Sequence, residues 1–131
     1  MKTQIVLDTS AILALLAMEE GHEVVAENLE NAVVSSVTLS EVITVLVRRG
    51  LKHEDVAQSL KDTFPQVEAF NAEQAIVASR LDEATKAHGL SFGDRACLAL
   101  AKSKNLVVLT TDKVWKDLEL GIEVQLIRFS K

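Results

Sequence analysis

Apolar residues along the chain fall into two kinds of run. Short uninterrupted aliphatic runs occur at Ile5-Val6-Leu7, Ala32-Val33-Val34-Ser35 and Leu106-Val107-Val108-Leu109, the pattern of strands covered on both faces. Elsewhere apolar positions recur at helical spacing, as at Leu39, Val42, Ile43, Leu46 and Val47. Asp8-Thr9-Ser10 is an N-cap cluster that opens a helix running through Met18, and a second helix is predicted over His22 to Asn31. Thr38 with Glu41 three residues on has capping-box spacing and starts a third helix, which Gly50 ends. His53 to Thr63 and Ala72 to His88, the latter between Asn71 and Gly89, read as two amphipathic helices that would form a hairpin. Ser91 to Ser103 is a further helix, Asp112 to Leu118 a short helical turn, and Glu123 to Ile127 the last strand. Strands alternating with helices predict an α/β fold with a parallel sheet between helical layers.

The chain has 131 residues, 48% apolar and 25% charged, without a Gly-, Pro- or Ser-rich linker or an internal repeat. That is one soluble domain with a core to bury, and it excludes a disordered or fibrous chain. A formal charge of −5 excludes a protein held to nucleic acid by bulk charge, so any contact with RNA or DNA must be local. The longest apolar run, Ala11 to Met18, is far short of the ~20 residues that cross a bilayer. The start, Met1-Lys2-Thr3-Gln4 before an apolar run cut by Asp8, does not read as a secretory signal. With Cys97 the single cysteine, no internal disulfide is possible, and the cytoplasm is the expected compartment.

Four acids stand at strand exits or helix starts: Asp8, Glu41, Asp94 and Asp112. Each has a structural role open to it, Asp8 and Asp112 as N-caps, Glu41 and Asp94 in capping boxes with Thr38 and Ser91. In an open parallel sheet, however, the carboxyl ends of the strands share one edge, where such folds bind ligands. Carboxylates gathered there repel one another unless a cation sits among them, and hard oxygen ligands suit Mg²⁺ or Mn²⁺. Such a site fits phosphodiester hydrolysis, which needs charge on the non-bridging oxygen and a placed water. Thr9, Thr110 and Thr111 are hydroxyls near these acids.

These residues carry a resemblance: the chain resembles PIN-domain ribonucleases, and more closely the small VapC-type toxins of prokaryotic toxin–antitoxin pairs. It rests on Ile5-Val6-Leu7-Asp8-Thr9-Ser10-Ala11, Ser35-Ser36-Val37-Thr38-Leu39-Ser40-Glu41-Val42, Leu90-Ser91-Phe92-Gly93-Asp94-Arg95 and Leu109-Thr110-Thr111-Asp112, in that order and spacing. The resemblance implies a single PIN-like domain over 1–131, a three-layer α/β/α sandwich with a central parallel sheet. It implies a divalent metal, Mg²⁺ or Mn²⁺, held by Asp8, Glu41 and Asp94, with Asp112 completing the acidic set and Thr110 as a polar site position. Endoribonuclease activity, a homodimer and a small DNA-binding antitoxin are implied as well. The middle helices match loosely, and the RNA target is left open. On residues alone, Ala11 to Met18 and Thr38 to Arg49 carry more apolar side chains than one core face uses, and such a surplus invites a partner helix.

Other chemistries are weaker. Cys97 lies among Ala96, Leu98, Ala99 and Leu100, as a small core residue would, and His22, His53 and His88 lack metal-ligand spacing. There is no glycine-rich phosphate loop. Arg48, Arg49, Arg95, Lys113 and Lys116 are cations available to phosphates, with Arg95 and Lys113, next to site acids, the best placed for an RNA path. A phospho-receiver domain would need an acidic pair before the first helix, where Leu7 precedes Asp8, and a lysine after the last strand, where Ile127 is followed by Arg128 and Phe129. An Asp-x-Asp phosphotransferase fails at Ser10. A non-catalytic interaction or signalling module on the same fold is the alternative, and the intact acids count against it.

Overall fold

The computed structural model describes residues 3–128; the predicted domain 1–131 extends beyond them at both ends, and Met1, Lys2 and Phe129 lie outside. Five strands, β1 (Ile5–Leu7), β2 (Ala32–Ser35), β3 (Val67–Glu68), β4 (Val107–Thr110) and β5 (Val124–Leu126), form one sheet in the order β3-β2-β1-β4-β5. Every pairing is parallel, with Ile5 opposite both Ala32 and Val107. Parallel neighbours need crossovers, and helices supply them: α1 (Thr9–Leu16), α2 (His22–Glu27), α3 (Ser36–Arg48), α4 (His53–Thr63), α5 (Ala72–Arg80), α6 (Asp82–Thr85), α7 (Phe92–Lys104) and α8 (Lys113–Asp117).

Successive strand residues point to opposite faces, so β1 serves two cores. Ile5 and Leu7 pack with Ile12, Val42, Leu60 and Phe64 from α1, α3 and α4 and the residue after α4, whereas Val6 packs with Leu98, Leu100 and Trp115 from α7 and α8. Helices on both faces make the expected α/β/α sandwich with its central parallel sheet.

Four expectations need correction. The third helix begins at Ser36 rather than Thr38, because Ser35 at the end of β2 already offers a cap, its Oγ accepting from the Val37 N–H at 3.1 Å. Thr38 is therefore buried inside the helix, and no capping box links it to Glu41. The helix predicted over Ala72 to His88 is broken into α5, α6 and a 3-10 turn, Lys86–His88. The predicted hairpin is absent: α4 packs on α3 and α5 on α7, with β3 between them in sequence. Similarly, the helix predicted over His22 to Asn31 ends at Glu27 and continues as a 3-10 turn, Leu29–Asn31.

Candidate active site

Asp8 leaves β1 and caps α1. Its Oδ1 accepts from the Ala11 N–H at 2.8 Å and from Ser10 Oγ at 2.7 Å, while Oδ2 accepts from Thr110 Oγ1 at 2.5 Å. Only 4% of the residue is exposed. Burial pushes its carboxyl up from 3.8 to about 6; the three hydrogen bonds oppose this and the charge of Asp94 adds to it.

Glu41 lies in the second turn of α3, where its Oε1 accepts from Thr9 Oγ1 at 2.8 Å. Its carboxylate sits against Gly93 so closely that a Cβ at position 93 would overlap it. Glycine here serves the approach of two helices, and the approach brings α7 with Asp94 toward Glu41. Asp94 forms a capping box with Ser91: its Oδ2 accepts from the Ser91 N–H at 2.9 Å, and its own N–H reaches Ser91 Oγ at 3.2 Å. The structural role foreseen for Asp94 is thus real, and it uses one carboxylate oxygen.

Asp8, Glu41 and Asp94, from distant segments, all bear on Cys97 through their charge. Burial pushes the Cys97 thiol well above its ordinary value, and the charges of Asp8, Asp94 and Glu41 push it further. The thiol donates weakly to Leu7 O at 3.8 Å. A thiol so buried and so weakly acidic is no nucleophile.

Asp112 stands apart. It is exposed, and its Oδ1 caps α8 by accepting from the Val114 N–H at 3.0 Å. Its tie to the site runs through its backbone, whose N–H donates at 3.0 Å to Thr110 Oγ1, the hydroxyl that donates to Asp8. Ser10 makes a parallel bridge, donating to Asp8 and accepting from the Thr111 N–H at 3.0 Å. Ser10 and Gly93 are the residues that sequence reasoning assigned no site role. A serine two places after a capping acid was a signal for the first; nothing in one sequence announces which glycine receives a carboxylate.

Arg95 has partners of its own: its Nε lies 3.8 Å from Asp82 Oδ1, and its guanidinium lies over the Phe92 ring. Lys113 is exposed at the start of α8. Arg48 lines a groove along α3 that also takes in Ser36, Ser40, Glu41 and Thr44. Among the described residues, no three His, Cys, Asp or Glu side chains already stand as a ligand set for a metal ion. The donor chemistry nonetheless fits a hard cation, because Asp8, Glu41 and Asp94 offer carboxylate oxygens.

A five-stranded parallel sheet between helical layers is the arrangement the resemblance implied. The chain belongs to the PIN domain family, whose match spans residues 5–120. Among solved structures it is similar to DNA-bound VapBC from Salmonella typhimurium, with 21% identity and a TM-score of 0.75 over 97% of this chain and 100% of that one. It is also similar to FitAcB from Neisseria gonorrhoeae, at 26% identity and a TM-score of 0.69 over 92% and 96% of the two chains. VapBC2 from Rickettsia felis, bound to a promoter DNA fragment, shares 18% identity at a TM-score of 0.73, over 95% and 98%. No curated relative matches the chain by sequence.

Proposed function

We propose that this protein is a metal-dependent endoribonuclease, the toxin of a type II toxin–antitoxin pair acting in the cytoplasm, with Asp8, Glu41, Asp94 and Asp112 as its acidic set and Thr110 as a supporting hydroxyl. The packing of Gly93, the neighbour of Asp94, on the Glu41 carboxylate, which Thr9, the neighbour of Asp8, also holds, carries the reading. Mg²⁺ or Mn²⁺, when bound, supplies positive charge for the phosphate and acidifies a water. The chain's own residues set the geometry: Ser10 and Thr110 orient Asp8, Thr9 orients Glu41, and Ser91 orients Asp94. Family membership supports the nuclease, and the VapBC and FitAcB structures among its neighbours support an antitoxin partner; a homodimer is proposed with it. An apolar groove lined by Leu13, Leu16, Leu46, Leu51, Val56 and Leu60 is the surplus surface expected of α1 and α3, and it suits a partner helix. No helix among the described residues is long and apolar enough to cross a membrane.

Purified protein should cut RNA in Mg²⁺ or Mn²⁺ and stop in EDTA, leaving 5′-phosphate and 3′-hydroxyl ends. Cyclic phosphate ends formed without metal would mean attack by the 2′-hydroxyl and end this reading. Asp94→Asn separates capping from metal binding. Asparagine retains an oxygen for the Ser91 N–H, so metal-free stability should change by only about 0.5 kcal/mol. Cleavage and the rise in Tm on adding Mn²⁺ should both be lost, since a neutral amide is a poor ligand for a hard cation. A variant that cleaves at the wild-type rate removes Asp94 from the site.

A further inference from the structure

Phe92 is 52% exposed, whereas Phe64 and Trp115 are 1% exposed. It is the first residue of α7, next to Gly93, which packs on Glu41, and two before Asp94. The ring is braced: Phe70 stands perpendicular to it, centroids 5.5 Å apart, and the Arg95 guanidinium lies 5.7 Å from its centroid. Phe70 is itself tied down, its N–H donating at 3.0 Å to Ser36 Oγ at the start of α3. Asp82, 3.8 Å from Arg95, keeps the guanidinium on the ring rather than toward the acids. An aromatic side chain is thus fixed, partly open to solvent, next in the chain to Gly93, which packs on the Glu41 carboxylate.

We propose that Phe92 is a stacking platform for a nucleobase beside the phosphate to be cut, and so a positioning and specificity residue; this rests on the ribonuclease reading above. The charge of −5 leaves little general attraction for RNA, so affinity next to an acidic cluster has to come from contacts that do not depend on charge. Base stacking on an aromatic ring is such a contact, and the Arg95 cation adds to it. Bases reach a protein ring only when unpaired, so the substrate class is a single-stranded segment or loop.

The test uses a labelled single-stranded RNA of about 12 nucleotides spanning the strongest cut that the wild type makes in total RNA, with derivatives abasic at one position each, titrated in Ca²⁺. Phe92→Ala should weaken binding roughly 5- to 100-fold and leave the salt dependence unchanged, because no phosphate contact is lost. Phe92→Trp should restore binding and Phe92→Leu should not, while unchanged unfolding temperatures show that the fold is intact. One abasic position should cost the wild type the same factor and cost Phe92→Ala nothing more. Equal binding and cleavage by Phe92→Ala and wild type would overturn the platform alone. So would a variant that binds RNA normally and loses its dimer or a protein partner, which would make the ring a protein contact. A wild type that cuts no RNA overturns the platform together with the ribonuclease reading.

Discussion

Asp8→Asn is expected to reduce RNA cleavage by more than roughly 100-fold, the upper range for residues that merely support a metal ligand, while making the metal-free protein more stable at neutral pH. In the folded chain the Asp8 carboxyl titrates at about 6, against 3.8 for the ordinary group. Folding therefore favours the protonated form. The stability this contributes is fully present below pH 3.8, declines as pH rises through the interval, and is gone above about 6. The interval corresponds to about 3 kcal/mol, the cost of keeping Asp8 ionised in a dry pocket. Asparagine removes that cost but cannot accept from Thr110 as Oδ2 does, a loss of about 1 kcal/mol. A net gain of about 2 kcal/mol should therefore appear in urea unfolding in EDTA near pH 7.5, shrinking and then reversing toward pH 4. Metal runs the other way, since it needs ionised Asp8: the Mn²⁺-induced rise in Tm should fade below pH of about 6. An Asp8→Asn protein less stable than wild type at pH 7.5 would show that the carboxylate is held by its hydrogen bonds more strongly than burial opposes it.

Gly93→Ala should damage activity without damaging the fold. The added methyl meets the end of the Glu41 side chain, which can swing aside, and alanine is the better helix former by up to about 1 kcal/mol. Stability should stay within about 1 kcal/mol of wild type. The displaced carboxylate breaks its bond with Thr9 and leaves the pocket, and misplacing a reacting group by an ångström costs about 100-fold. The double variant Gly93→Ala/Glu41→Gln should be no worse than Glu41→Gln alone, because both changes remove one carboxylate from one place. Independent, multiplying losses would place Glu41 outside the pocket that Gly93 opens.

The strands and the acids were legible because both depend on local pattern: uninterrupted aliphatic runs mark β1, β2 and β4, and capping residues mark the helix starts at Asp8, Asn71, Ser91 and Asp112. The errors came where two local signals competed or tertiary pairing decided. Ser35 and Thr38 both offered a cap, and the hydroxyl nearer the strand end prevailed. β3 has two residues and exists by pairing Val67 with Val34, which no periodicity over so short a span reveals. Arg95 follows Asp94 in sequence, but a helix turns its neighbour by about 100°, so the guanidinium meets Asp82 and the Phe92 ring, partners that the sequence did not announce. The acids were readable as a list; that Gly93 packs on Glu41 and that Asp112 stays exposed, its carboxylate capping α8, depended on helix packing.

The place of β1 between β2 and β4 bears on synthesis. A ribosome makes the amino-terminal half first, so Asp8 and Glu41 emerge early, while β1 still has one side open. Asp94 arrives with α7, and the Thr110 hydroxyl that holds Asp8 arrives only with the strand that closes that side. A growing chain therefore lacks both Asp94 and the hydrogen bond from Thr110 to Asp8 until most of its length has left the ribosome.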